Sequence, residues 1–234
     1  MCLRFLGFFL LMTISASLPG QSKIFGPKGG MSMTFQSWLG TRSQPLFNPH
    51  GALYMEGYRE GASTALFAQV GYHTRGSSER IFVNLGSSSF VEDLNVRFNN
   101  ISALFGAKKR IKEGSGAIPY YSFGVRVEHT IGNNFEDFID FAGYLPVETF
   151  INKWNYGATL AFGYEFPFSE FVGGLIEASV SPDLSFQYNQ EQDISFSSPV
   201  SGQSVTLRRQ KVRNVTFELT FGFRFLHKVI YLDE

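Results

Sequence analysis

From Val215 to Phe225 every second residue is apolar: Val215, Phe217, Leu219, Phe221, Phe223 and Phe225. The positions between and just before them are Asn214, Thr216, Glu218, Thr220, Gly222 and Arg224. Side chains alternate across an extended strand, so this segment carries one apolar face and one polar face. Three other segments repeat the pattern. In Trp154 to Phe166, Trp154, Tyr156, Leu160, Phe162, Tyr164 and Phe166 oppose Asn155, Gly157, Thr159, Gly163 and Glu165. In Ile118 to Ile131, Tyr121, Phe123, Val125 and Val127 oppose Ser122, Gly124, Arg126 and Glu128. In Ser63 to Arg75, Leu66, Ala68, Val70 and Tyr72 oppose Gln69, Gly71, His73 and Arg75. Weaker alternation predicts strands over Met31 to Leu39, Ala52 to Tyr58, Val96 to Ile111 and Val172 to Tyr188. A slip of phase near Asn99-Asn100 reads as a bulge.

The intervening segments fall into two classes. Arg59 to Ala62, Lys112 to Gly116 and Pro167 to Phe171 are short. Gly40 to Gly51, Gly76 to Asn95, Gly132 to Lys153 and Asn189 to Arg213 are long. Strict alternation of tight turns and long loops, around strands long enough to cross hydrocarbon at a tilt, predicts an all-β fold: an eight-stranded antiparallel transmembrane β-barrel. Alternation does not say which face points outward. A lipocalin-like soluble barrel would turn the apolar face in, around a ligand. Lipid outside is favoured by the charges of both signs on the polar faces, which can pair in a narrow lumen. The apolar faces also end in Trp154, Tyr164, Phe166, Phe223 and Phe225, as interfacial girdles do.

Composition then adds location. Arg4, the apolar run Phe5 to Ile14 and the small-residue exit Ser15 to Gly20 read as a secretory signal, so residues 1–20 are expected to be removed and 21–234 to form the barrel domain. The apolar run is too short to span a bilayer as a helix. The single cysteine, Cys2, lies in that segment, which leaves the barrel without disulfide or thiolate chemistry. Aromatics are 16% of the chain, with 26 Phe and 10 Tyr, yet no uninterrupted apolar helix accompanies them. Formal net charge is zero, which argues against a nucleic-acid partner.

Several segments together resemble the Bacteroidota outer-membrane β-barrel family often called the porin family, which includes the PorT-type barrels. They are Leu66 to Tyr72 with the Arg75-Gly76 pair after it, Asn99 to Arg110, Pro119 to Val125, Gly157 to Tyr164 and Phe221 to Phe225. The resemblance implies an eight-stranded barrel in the outer membrane. It also implies that Thr220, Gly222, Phe223 and Phe225 form the signal read by the barrel-insertion machinery, although His227 to Glu234 follow where such signals usually end the chain. PorT-type members are associated with protein secretion and gliding, so a secretion or transport assembly is one expectation it raises.

The candidate chemistry is sparse. Arg97, Arg126, Glu128, Glu165, Glu177, Glu218 and Arg224 are expected to face the lumen. An eight-stranded barrel has room for little more than its own side chains, so these charges predict a salt-bridged plug more than a pore. His73 and His129 stand near strand ends, where some lipid-modifying barrel enzymes carry a base; no nucleophile motif accompanies either. No spacing suits a metal ion or other cofactor, and the chain is not expected to be an enzyme. Lys108-Lys109-Arg110-Lys112 and Arg208-Arg209-Lys211-Arg213 read either as solvated turn and strand-base residues or as contacts for lipopolysaccharide phosphates and other anionic headgroups. Phe135, Phe138, Ile139 and Phe141 belong to an aromatic loop whose helical spacing suits a lid or a docking helix. The expected role is structural or interactive, with outer-membrane lipid, lipopolysaccharide, the insertion machinery and an envelope protein as partners. A lipid-modifying enzyme and a soluble ligand-binding barrel are the further alternatives.

Overall fold

The computed structural model describes residues 22–38, 42–85, 88–111, 116–135, 148–197 and 204–229. The signal-like segment and the loop residues Phe138, Ile139 and Phe141 lie outside them. Among the described residues twelve strands run in chain order: β1 (Ser22–Phe35), β2 (Arg42–Tyr58), β3 (Thr64–Leu85), β4 (Ser88–Arg110), β5 (Ile118–Asn133), β6 (Trp154–Pro167), β7 (Val172–Pro182), β8 (Tyr188–Gln190), β9 (Ile194–Ser197), β10 (Ser204–Leu207), β11 (Gln210–Val212) and β12 (Val215–His227). Eight of them close into one barrel in the order β1-β12-β7-β6-β5-β4-β3-β2. The seam joins the first strand to the last, antiparallel, from Lys23 opposite His227 to Phe35 opposite Val215. Closure leaves no edge strand in the barrel wall.

Three expectations are corrected by the strand bounds. First, β1 begins at Ser22 instead of Met31 and β2 at Arg42 instead of Ala52, so most of the expected first long loop is strand. Glycines and prolines hide the pattern there. Gly26 and Gly30 face inward at the seam, where a Cβ would run into the carbonyl oxygens of Phe223 and Leu219; only glycine permits that approach. In β2 the register against β3 shifts between Pro45 and His50, a segment that includes Pro49, and proline donates no ladder hydrogen bond. Second, β3 and β4 extend through the expected second long loop, pairing from Thr64–Lys109 to Leu85–Ser88. Third, β7 stops at Pro182. The connection onward to β12 holds two nested hairpins, β8 with β11 and β9 with β10.

The slip expected at Asn99-Asn100 is a bulge of the opposite strand. Asn99 pairs with Gly132 and Asn100 with Thr130, so the extra residue is Ile131 of β5. β4 keeps one phase throughout, and its even-numbered residues Leu94, Val96, Phe98, Asn100, Ser102, Leu104 and Lys108 are all buried.

Around the middle of the barrel the outward residues are apolar and exposed, among them Phe25, Leu53, Leu66, Phe123, Phe162 and Phe221. Toward the end opposite the termini this reverses. Outward Thr74 of β3 donates a 3.0 Å hydrogen bond to Asn99 of β4, just above the outward pair Tyr72–Ile101. Beyond that point the interior holds an apolar cluster: Trp38, Val96, Phe98, Phe135, Tyr188 and Val212 are buried together, with Phe150 and Ile151 packed against them and with Ser77, Glu79, Gln187 and Gln190 buried alongside. The molecule thus has an apolar belt around a polar interior, and above it a crown with an apolar cluster inside and a polar exterior.

Candidate functional site: the charged lumen

Inward residues of all eight barrel strands meet in tiers. The lowest tier holds Glu56, Lys108, Arg110, Glu165 and Arg224. Arg110 donates to both oxygens of Glu165, at 2.9 and 3.0 Å, and also to Glu56. Lys108 bridges Glu56 at 3.1 Å and also contacts Glu165. Arg224 reaches the same Glu165 at 3.0 Å. Glu165 therefore serves three cations while only 1% of its side chain is exposed. Ile24, Tyr54 and Leu175 pack together beside this tier as a small apolar cluster.

Above it, Lys28 donates to both oxygens of Glu177, at 3.0 and 3.2 Å, and Tyr120 donates to Glu177 at 2.8 Å. The aromatic rings of this tier also carry cations: Lys28 lies 4.8 Å from the Tyr54 ring centroid and Lys108 lies 4.1 Å from that of Tyr120. In the middle, the His50 and His73 rings stack with centroids 5.6 Å apart. His50 Nε2 meets Thr220 Oγ1 at 3.0 Å, and His73 Nδ1 meets Glu218 Oε1 at 2.9 Å.

The upper tier is a square of Arg75, Arg126, Glu128 and Asp183. Arg75 contacts Glu128 at 2.9 Å and Asp183 at 3.2 Å. Arg126 contacts Glu128 at 2.9 Å and also Asp183. Asn214 then links Asp183, through a 2.7 Å bond, to Gln36. Gln36 accepts from the Trp38 indole at 3.0 Å and from Ser77 at 3.1 Å, which joins the ionic column to the crown. Burial is tolerable for these charges because each carboxylate of the column meets a cation or an imidazole.

Of the residues expected in the lumen, Arg126, Glu128, Glu165, Glu177, Glu218 and Arg224 lie in this column. Arg97 does not. It is exposed on the outside of the crown, where its backbone N–H donates to Asn134 Oδ1 at 2.8 Å. The reason is the unbroken phase of β4, which sends odd residues outward and places Val96 and Phe98 inside.

The basic run at 108–112 is corrected at its described residues too, Lys112 lying outside them. Lys108 is buried and Arg110 mostly so, both in the lowest tier, while Lys109 points out. Lys28, His50, Glu56, Arg75 and Asp183 complete the column without having been expected in it. The strand period offers the signal for Lys108 and Arg110, which follow Ser102 and Leu104 in even steps. The glycines around Lys28 and the prolines before His50 erase that signal.

At the seam, inward Thr220 and Gly222 and outward Phe223 and Phe225 occupy β12, which continues to His227. Phe225 packs against Phe25 of β1 with ring centroids 5.9 Å apart. Phe135 is buried in the crown cluster, 5.4 Å from the Phe98 ring centroid.

Hydroxyl-imidazole-carboxylate catalysis needs one imidazole between nucleophile and acid. Here Thr220 and Glu218 bind different imidazoles, and both imidazoles are buried. His129 faces outward against the Trp154 ring, 4.5 Å between centroids. Among the described residues no group of three or more His, Cys, Asp or Glu is placed to hold a metal ion.

No protein-family model matches the chain, and no curated protein matches it by sequence. Among solved structures the chain is similar to the outer membrane protein OprG from Pseudomonas aeruginosa, at 13% identity over 88% of this chain and 97% of that one, with a TM-score of 0.49. It is also similar to Neisserial surface protein A, at 9% identity over 86% and 96% of the two chains, TM-score 0.45. A major outer membrane protein from Thermus thermophilus gives 11% identity over 88% and 99%, TM-score 0.45.

Proposed function

We propose that this chain is an integral outer-membrane β-barrel whose lumen is plugged by its own ion pairs and which acts as a scaffold, presenting its crown to other components of the cell envelope. The observation that carries the reading is the belt. Exposed Phe, Leu, Val and Tyr side chains surround a wall whose interior is charged, an arrangement that suits hydrocarbon outside and would leave a very large apolar surface in water. The export-type segment at the N-terminus and the aromatic pattern of β12 agree with delivery to that membrane. The ionic column fills the space through which solute would pass, so transport through the lumen is not the role assigned.

The test compares boiled and unboiled outer-membrane fractions by gel mobility, followed by planar-bilayer recording. A mobility shift on boiling with no stepwise conductance is expected. A soluble protein without a shift would make the belt a protein-covered surface and end the membrane reading; stable single-channel steps would end the plug.

A second reading makes the barrel a component of a PorT-like secretion or transport assembly. The likeness of Leu66 to Tyr72, Asn99 to Arg110 and Phe221 to Phe225 to that family favours it. Mild detergent extraction is expected to retain a stoichiometric partner protein, and recovery of the barrel alone would leave the free-standing scaffold.

A further inference from the structure

The outward face of β12 is apolar at every odd position from Phe225 up to Val215. The alternation does not stop there. Continuing along the same chain, the outward positions become Arg213, Lys211 and Arg209, all exposed. What fixes this is burial on the opposite side: Val212 of β11 and its partner Tyr188 of β8 are both fully buried in the crown cluster. With Val212 turned in, Lys211 and Arg213 are turned out.

Both then gather over one ring. Arg213 Cζ lies 4.2 Å and Lys211 Nζ 5.4 Å from the centroid of Phe186. Stacking of this kind holds the guanidinium plane and leaves its N–H edge free to fork onto an oxyanion. Directly below the cations, Leu184 and Val215 are exposed apolar residues at the top of the belt. On the β3–β4 wall the same boundary is made by neutral Thr74 and Asn99, and of the outward cations above it, Arg97 and Arg80, the second is paired with Asp93 at 2.7 Å. Around β11 the cations Arg208, Arg209, Lys211 and Arg213 outnumber Glu191 and Asp193. Among the described residues the one ion pair between these side chains, Lys211 with Glu191, is long at 3.8 Å and highly exposed.

Resting on the membrane reading above, we propose that Arg209, together with Lys211 and Arg213 on their Phe186 platform, binds the phosphate groups of a phosphorylated glycolipid in the leaflet around the crown. Cations immediately above an apolar wall match a ligand whose phosphates sit immediately above its acyl chains. A soluble anion would gain nothing from Leu184 and Val215, and a lipid without phosphate would gain nothing from the cations.

The test titrates the purified, folded barrel in detergent with bisphosphorylated lipid A and reads retained adducts by native mass spectrometry. At about a fivefold effect per cation near a headgroup surface, the triple variant R209Q/K211Q/R213Q is expected to bind roughly 100-fold more weakly. Dephosphorylated lipid A should bind the wild type equally poorly, and K109Q/K228Q at the opposite rim should leave binding unchanged. Equal binding by the triple variant overturns the site. So does equal retention of dephosphorylated lipid A, or of phosphatidylglycerol, which would mean a general anionic surface. Each sample is also scored for its mobility shift on boiling. A missing wild-type shift rejects the membrane reading itself, whereas an intact shift with unchanged binding rejects this site alone.

Discussion

Belt and crown share barrel strands, of which β4 shows most plainly that the two regions have opposite polarity. On β4, Ser102 and Lys108 face in and Ile101 and Phe105 face out within the belt; a few residues away, Val96 and Phe98 face in and Arg97 faces out. Neither the backbone nor the period changes between the two. On the proposed membrane reading, what changes is the surrounding medium: the apolar face meets hydrocarbon in one region and escapes water in the other. Stability accordingly comes from different sources. The belt depends on a satisfied ionic interior, and the crown depends on a packed apolar one.

The largest effect should come from breaking the belt's interior. Glu165→Ala leaves Lys108, Arg110 and Arg224 with Glu56 as the one remaining carboxylate of their tier. Stranding buried charge typically costs about 3–5 kcal/mol, to be read as a lowered urea midpoint for unfolding from lipid. Removing the exposed Asp93 carboxylate of the crown by Asp93→Asn should leave the same midpoint nearly unchanged. Equal effects would dissolve the distinction between the regions.

Next comes the exterior. Val125→Arg puts a charge on the belt, where midplane positions cost about 2–4 kcal/mol and rim positions much less. Asn95→Arg on β4 in the crown should cost within about 0.5 kcal/mol, since its surroundings are water. A scan of Arg along the outward positions of β4 and β5 would locate the boundary, and a flat profile would refute the belt as a lipid-facing surface.

The crown interior has its own polar contact to test. Trp38→Phe keeps the aromatic packing near Tyr188 but removes the indole donor to Gln36 and Ser77, bonds of 3.0 Å each. Leaving their oxygens short of a donor should cost about 1–3 kcal/mol by thermal or urea unfolding. A loss below that range would mean that the ionic column and the crown are not coupled through Gln36.

The contrast also explains what can be read in the chain. Strands β5, β6 and β12 are legible almost to the residue because they lie largely within the belt, where apolar and polar positions alternate without interruption. β3 and β4 are truncated in the sequence reading because upper β4 obeys the inverse rule while upper β3 is polar on both faces, with Ser77 and Glu79 turned in and Ser78 and Arg80 turned out. Val96 and Phe98, read with an outward apolar face, suggest a slip that β4 does not have, and Arg97 is misplaced with them. β1 and the first part of β2 are obscured by Gly26, Pro27, Gly29, Gly30, Pro45 and Pro49, residues selected by the seam and the bulge instead of by a face. The ionic column is half visible. Its members on cleanly alternating strands stand out, while Lys28 and Glu56 sit in segments with little pattern, and Lys108 and Arg110 look like a turn. Which carboxylate meets which cation depends on strand register and barrel tilt, and the linear pattern carries neither.

The smallest expected effect concerns the crown's exterior pair, Arg80 and Asp93, which face each other across β3 and β4. Two hydrogen bonds, 2.7 and 3.0 Å, join them, and they hold the Asp93 carboxyl below its ordinary value of 3.8. A carboxylate whose folded value is depressed contributes stability that is fully present above 3.8 and is lost as pH falls through the lowered folded value. Neutral conditions should therefore show the upper β3–β4 ladder slightly better protected than strongly acidic ones, and added salt should erase the difference, because both groups are exposed and screened. Amide hydrogen exchange of Ser78 to Arg80 and Asp93 to Asn95, corrected for the intrinsic pH dependence of exchange, reads this directly. Asp93→Asn should abolish the pH and salt dependence while leaving the ladder formed. If the variant instead opened the hairpin at neutral pH, the exterior of the crown would be holding its fold together, and the division between an ionic belt interior and an apolar crown interior would need a third term.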